Sequence, residues 1–259
     1  NFGLKDGLAD TTTWGQLAKQ NPELQIPNGV SEDEAFVKIL DPATGTGTFI
    51  SEVISVIYDT MSKKWKGKTI KEKKELWNDY VQENLLPRVF GLEIMMAPYS
   101  ICHLNLALKL KNTGFDLGTD QRINVFLTNS LSEPSELSKF MPQFIANETK
   151  EVNIVKNSRR FTVILGNPPY SLISSNMEDS HRKLVEKYKF VGKERIKERG
   201  ALQFEKNLND DYVKFISLSQ EIINSSGYGI FCLITNHSYL DNPTMRGVRW
   251  NIMDTSSQI

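Results

Sequence analysis

The chain has 259 residues, 39% hydrophobic and 24% charged, with 31 basic and 31 acidic side chains and a formal net charge of zero. That size holds one large domain, and the composition is that of a soluble globular protein, not a disordered or polycationic one. No apolar run nears the roughly 20 residues that span a bilayer, and the first residues do not read as a signal peptide. Cys102 and Cys232 both lie in apolar stretches and read as reduced core thiols, which points to a cytoplasmic protein. His103, His181 and His237 share no metal-ligand spacing with them, so no metal site is expected.

Residues 1–35 are polar and broken by Asn21-Pro22, Pro27 and Asn28-Gly29, and predict an irregular lead-in. Residues 36–41 read as a first strand. Phe49, Ile50, Val53, Ile54 and Ile57 then recur at helical spacing over 48–60. A basic insertion follows at about 61–83, read as a polar helix. Residues 88–93 read as a second strand, 95–111 as an apolar helix, and 122–128 as a third strand. The fourth strand, 160–166, runs into a basic loop or helix segment at about 171–209. An amphipathic helix over 210–225 carries Tyr212, Val213, Phe215, Ile216 and Ile222. Residues 228–235 are the fifth strand, and a short helix is expected near 243. Strands alternating with helices predict an α/β fold, a mainly parallel sheet with helices on both faces. Ligands bind such sheets at the carboxyl ends of the strands.

Charge is uneven along this order. Residues 63–75 carry seven lysines against Glu72 and Glu75, a net of +5 (7 − 2). Residues 182–199 carry eight basic residues against Glu186, Glu194 and Glu198, again +5 (8 − 3). Either stretch can be a solvated helix face or a contact for phosphates.

Polar motifs follow four of the strands. After the first come Asp41-Pro42-Ala43-Thr44-Gly45-Thr46-Gly47-Thr48-Phe49, where glycines let the backbone approach a ligand. The full Gly-x-Gly-x-x-Gly pattern is absent, since Ile50 takes its third place, and no lysine follows as in a phosphate-binding loop. The second strand ends in Glu93, placed to bind a ribose diol, and the third in Thr128-Asn129-Ser130. The fourth, Val163-Ile164-Leu165-Gly166, stops at Asn167-Pro168-Pro169-Tyr170. The prolines end the strand and hold Asn167 extended. An amide oxygen, the Pro168 carbonyl and an aromatic face are thereby gathered, and can hold a planar ring bearing an amino group.

The motif at 41–49 followed by Asn-Pro-Pro-Tyr at 167–170 resembles the paired signatures of N6-adenine DNA methyltransferases that use S-adenosylmethionine (AdoMet). Ser130 and Asn167 lie only 37 residues apart, leaving no room for a recognition domain between them; this is similar to the gamma arrangement. Segments 2–10, 87–99 and 234–244 look like the modification module of single-chain type ISP restriction–modification enzymes.

The resemblance implies a Rossmann-like methyltransferase catalytic domain over residues 36–259, incomplete at both ends. It implies that Asp41, Thr44, Gly45, Thr46 and Gly47 line the methionine end of AdoMet, that Glu93 accepts from the ribose, and that Ile94 packs on the cofactor adenine. Asn129 stands where the family often has aspartate, near the cofactor adenine or the methyl. Tyr212 and Phe215 match a helix that closes the cofactor pocket. Asn167, Pro168, Pro169 and Tyr170 would form the catalytic clamp on a flipped adenine. Double-stranded DNA is the implied partner. A target-recognition domain and nuclease and translocase modules are expected elsewhere in a longer polypeptide, with no membrane partner. Two alternatives stay open. One is methyl transfer to RNA guanine N2 or protein glutamine, whose families share Asn-Pro-Pro-Tyr; the other is a non-catalytic AdoMet- or DNA-binding module.

Overall fold

The computed structural model describes residues 3–115, 117–118, 121–134, 143–158, 160–170, 179–197 and 201–258. In chain order the helices and strands are α1 (Trp14–Gln20), β1 (Ile39–Asp41), α2 (Thr48–Lys64), α3 (Ile70–Tyr80), β2 (Val89–Glu93), α4 (Met96–Asn112), β3 (Asn124–Leu127), α5 (Gln143–Ser158) and β4 (Val163–Gly166). They continue as α6 (Asp179–Glu186), β5 (Phe190–Val191), β6 (Glu194–Arg195), α7 (Ala201–Leu208), α8 (Asp211–Ser226), β7 (Ile230–Leu233), α9 (Ser238–Asp241) and α10 (Arg246–Thr255).

Five short apolar strands form one parallel sheet in the order β3-β2-β1-β4-β7. Strands buried on both faces read as continuous apolar runs, as Val89–Leu92 and Val163–Leu165 do. The chain moves outward from β1 to β2 and β3, then returns to pair β4 on the other side of β1. The order therefore reverses between β1 and β4, the place where such sheets open a crevice for ligands.

Helices α2 and α4 cover one face with Ile50, Val53, Ile54, Ile57, Cys102, Leu106 and Leu110. Helices α5 and α8 cover the other with Val152, Val155, Phe215, Leu218 and Ile222. A third cluster gathers Val185, Tyr188, Ile196, Phe204, Leu208, Tyr212 and Val248 against the outer side of α8. Cover thins toward β7, where Ile230 is 64% and Ile234 54% exposed.

Four expectations need correction. The lead-in is not irregular throughout: Thr13 and Gln16 form a capping box that starts α1, and Trp14 and Leu17 are buried. The Trp14 ring meets Phe36 edge-on, with centroids 4.7 Å apart. Buried Arg88 then ties this segment to the sheet. It donates to the carbonyls of Asp10 at 2.6 Å and Val37 at 3.3 Å, and to the Tyr80 hydroxyl at 2.6 Å. Secondly, Cys102 is buried but Cys232, on the outermost strand β7, is exposed. Thirdly, the helix expected near 243 is present but not short: a 3-10 turn at Pro243–Met245 leads into α10, which runs on to Thr255. Fourthly, the basic segment after Tyr170 contains α6, a β5–β6 hairpin and α7. Helix α5, between β3 and β4, was not anticipated. Among the described residues no helix is long and apolar enough to cross a membrane.

Candidate active site

β1 ends at Asp41, and the chain turns through Pro42–Gly47 into α2. The turn is pinned on both sides. The Thr44 N–H donates to the Leu92 carbonyl at 3.0 Å, and its hydroxyl donates to the Asp41 carbonyl at 3.1 Å. Asn105 on α4 donates to the Thr46 carbonyl at 3.0 Å. Gly45 and Gly47 have φ of +56° and +86°, the left-handed region open mainly to glycine. A Cβ on Gly47 would also lie 2.7 Å from Cys102 Sγ. Burial, then the charges of Asp41 and Glu93, push that thiol up to about 12, so Cys102 acts as packing and not as a nucleophile.

Glu93 closes the ring of contacts. Its Oε2 accepts from the Gly45 N–H at 2.9 Å and its Oε1 from the Met95 N–H at 2.7 Å. The carboxylate thus holds the glycine turn against the end of β2 and keeps further lone pairs for a diol. Ile94 beside it is 60% exposed, an apolar side chain facing out at the sheet edge.

Asp41 is fully buried. One carboxyl oxygen, Oδ1, accepts from the Ala43 N–H at 3.0 Å, while Oδ2 has no partner among the described residues. Burial pushes its pKa up to about 7 against the Ala43 bond, with Glu93 adding repulsion. An orphaned buried carboxyl oxygen is costly unless a ligand completes it. Its chemistry suits an ammonium group, and the left-handed glycines beside it leave room for close approach. The residues present therefore fit the methionine end of AdoMet.

The neighbouring strand carries the second motif. At the end of β4 Pro168 is buried, while Asn167 and Tyr170 are exposed, Tyr170 by 49%. The Tyr170 hydroxyl donates its one hydrogen to Asn167 Oδ1 at 2.7 Å, with the Ile234 carbonyl a second, longer acceptor at 3.2 Å. Its ring stands edge-on to Tyr212, with centroids 6.4 Å apart and planes at 71°. Tyr212 is buried, its hydroxyl has no partner among the described residues, and burial raises its pKa.

Asp41 and Thr44, Thr44 and Gly47, and Gly45 and Glu93 are thus joined by hydrogen bonds at one turn, and Asn105 holds Thr46 from outside it. Asn167 to Tyr170 follow the adjoining strand. Tyr212 and Phe215 separate: Tyr212 stands against Tyr170, whereas Phe215 packs in the cluster that includes Ala43 under the glycine turn. Asn129 follows β3 in a turn of its own. Its Oδ1 accepts from the Leu131 N–H at 3.0 Å and its carbonyl accepts from Lys156 at 2.7 Å, so the side chain braces its own turn. Asn105 and the Met95 N–H were missed, because nothing local in the sequence marks partners 59 and 2 residues away as braces of one loop.

Three solved structures resemble the fold. A nuclease-deletion mutant of the type ISP restriction–modification enzyme LlaGI, in complex with a DNA substrate mimic, matches at 20% identity and TM-score 0.63 over 97% of this chain and 19% of that one. The ATP-dependent type ISP enzyme LlaBIII bound to DNA matches at 21% and 0.59, over 96% and 15%. A DrdV–DNA complex matches at 21% and 0.57, over 96% and 21%. The chain therefore spans about a fifth or less of the length of these structures. No curated protein matches it. The profile described as Eco57I restriction-modification methylase matches residues 88–258, from the foot of β2 through Asn167–Tyr170 to α10. That is well over half of the sequence, and the chain belongs to the Eco57I restriction-modification methylase family.

Proposed function

We propose that this chain is the methyltransferase module of a restriction–modification enzyme and methylates N6 of an adenine flipped out of duplex DNA, with AdoMet as donor. The supporting observation is that the glycine turn with Asp41 and the Asn167–Tyr170 motif end hydrogen-bonded neighbouring strands, β1 and β4. When bound, AdoMet supplies a methyl group made electrophilic by its sulfonium.

The chain's own residues then have separable tasks. Asp41 Oδ2 holds the ammonium, Gly45 and Gly47 admit the chain of the ligand, Glu93 accepts from the ribose hydroxyls, and Ile94 covers an adenine face. A base inside a duplex cannot reach the methyl, so it is extruded. Tyr170 offers a face that offsets part of the lost stacking, about 1–3 kcal/mol per base. Asn167 Oδ1 and the Pro168 carbonyl accept the two N6 hydrogens. Both being acceptors, they draw the amino nitrogen away from conjugation with the ring, so its lone pair becomes available. What remains is orientation, which accelerates a bimolecular transfer strongly by itself. The departing N6 proton passes to solvent, and neither a strong base nor a covalent enzyme intermediate is needed.

The test is incubation of the full-length protein with duplex DNA and methyl-labelled AdoMet, followed by nucleoside analysis. Label in N6-methyladenine is expected. Label in RNA or protein with none in DNA overturns the proposal, as does calorimetry that detects no AdoMet binding.

A further inference from the structure

The two basic stretches occupy opposite ends of the molecule. Residues 63–75 lie between the end of α2 and the foot of β2, at the amino edge of the sheet. Several of their charges are matched: Lys64 pairs with Asp6, Lys68 with Glu72 and Lys71 with Glu75. The second stretch is inserted between the carboxyl end of β4 and the start of α8. Helix α8 runs back from the carboxyl edge, since Ser226 near its end donates to the Phe161 carbonyl below β4 at 3.0 Å. The described parts of this stretch, residues 179–197 and 201–210, are thus inserted at the edge that carries Asn167.

Within it, β5 and β6 form an antiparallel hairpin, Phe190 opposite Arg195 and Val191 opposite Glu194. Gly192, with φ of +59°, makes the two-residue turn with Lys193. The hairpin is firmly seated. Tyr188 before it is buried and donates to Gln220 of α8, and Ile196 after it is in the same cluster as Tyr212. Tyr212 in turn meets the ring of Tyr170. One packed cluster therefore joins the hairpin to the candidate clamp.

Its charges sort by position. Lys189 pairs with Glu186 and Glu205, both at 2.8 Å, and Lys187 with Glu221 at 3.6 Å. The nearby carboxylates are thereby neutralised. Lys193, Arg195 and Lys197 are exposed and make no ion pair among the described residues, with Glu194 the one acid between them. A hairpin that turns three exposed cations outward beside the proposed base clamp suits a polyanion lying across that edge.

We propose that Lys193, Arg195 and Lys197 contact the phosphate backbone of the duplex from which the target base is taken. This rests on the DNA reading above. The three fix the position of the duplex and read no sequence, as phosphate contacts do.

The test is the salt dependence of duplex binding by the full-length protein, wild type against Lys193→Ala/Arg195→Ala/Lys197→Ala. Each lost phosphate contact flattens the slope of log K against log salt by about 0.9. The triple variant should therefore be flatter by about 2 to 3. Binding should weaken equally on duplexes of any sequence, with AdoMet affinity and the unfolding midpoint unchanged. An unchanged slope in a variant that still binds AdoMet and DNA overturns the hairpin proposal alone. Wild-type protein that fails to bind duplex DNA overturns the DNA reading and the hairpin proposal with it. A variant that loses AdoMet binding is damaged in its fold; Lys193→Gln and Arg195→Gln, made singly, then decide by the same slope.

Discussion

The Tyr170 hydroxyl donates a 2.7 Å hydrogen bond to Asn167 Oδ1, the oxygen to which we assign one N6 hydrogen of the target. On the proposed reading, an entering adenine competes with the phenol for that oxygen. Tyr170→Phe removes that competition and keeps the aromatic face, so its single-turnover transfer rate should stay within about tenfold of wild type. Tyr170→Ala removes the face, and stacking worth about 1–3 kcal/mol predicts a fall of roughly 10- to 100-fold. Equal impairment of both would mean that the hydroxyl, not the ring, is what matters.

Asp41 should make cofactor affinity depend on pH. With its pKa pushed up to about 7 by burial, the carboxyl is mostly protonated below neutrality. Binding an ammonium needs the carboxylate, so affinity for AdoMet should rise with pH up to about 7 and level off above it. Below that, each pH unit should cost up to about tenfold. Stability has the opposite sign. The folded state holds the proton that the unfolded chain has lost, so the free energy of unfolding should fall as pH rises from the ordinary 3.8 to about 7. Calorimetric titrations and urea unfolding across that window check both. In Asp41→Asn the two dependences should disappear.

Gly47→Ala should weaken the turn from two causes at once. Alanine at φ +86° is strained by about 1–3 kcal/mol. Its methyl group would also meet Cys102 Sγ at 2.7 Å. A drop in the unfolding midpoint together with weaker AdoMet binding is expected. Adding Cys102→Ala should recover part of the stability and none of the backbone strain.

Arg88→Met should destabilise the chain by about 3 kcal/mol or more, because several buried acceptors each lose a partner. Loss should show first as faster proteolysis between Thr11 and Ala35, the segment that Arg88 ties down. Unchanged proteolysis there would contradict that role.

Much of this architecture could be read from local pattern. β-branched runs marked the strands, and period-3.6 spacing at Ile50, Val53, Ile54 and Ile57 marked α2. The edge at which Asp41, Glu93 and Asn167 end their strands followed from alternation alone. Contacts that join distant segments could not be read. The loop brace from Asn105 and the staple from Arg88 each connect residues more than 50 apart in at least one bond. Helix α1 was legible in principle, since Thr13-x-x-Gln16 is a capping box, but the surrounding prolines and glycines concealed it. The turn that Asn129 braces was not legible either, because a polar residue at a strand end serves a turn as readily as a ligand.

Gly166 and Asp41 meet across the β1–β4 boundary: a Cβ on Gly166 would stand 2.8 Å from Asp41 Oδ1. The proposed donor and acceptor sites thus end neighbouring strands of a parallel ladder, whose spacing of about 4.8 Å backbone hydrogen bonds hold stiffly. Loops on either side can lengthen, shrink or change charge without altering that gap. On the proposed reading, such a scaffold lets a recognised sequence drift while the geometry of transfer stays fixed.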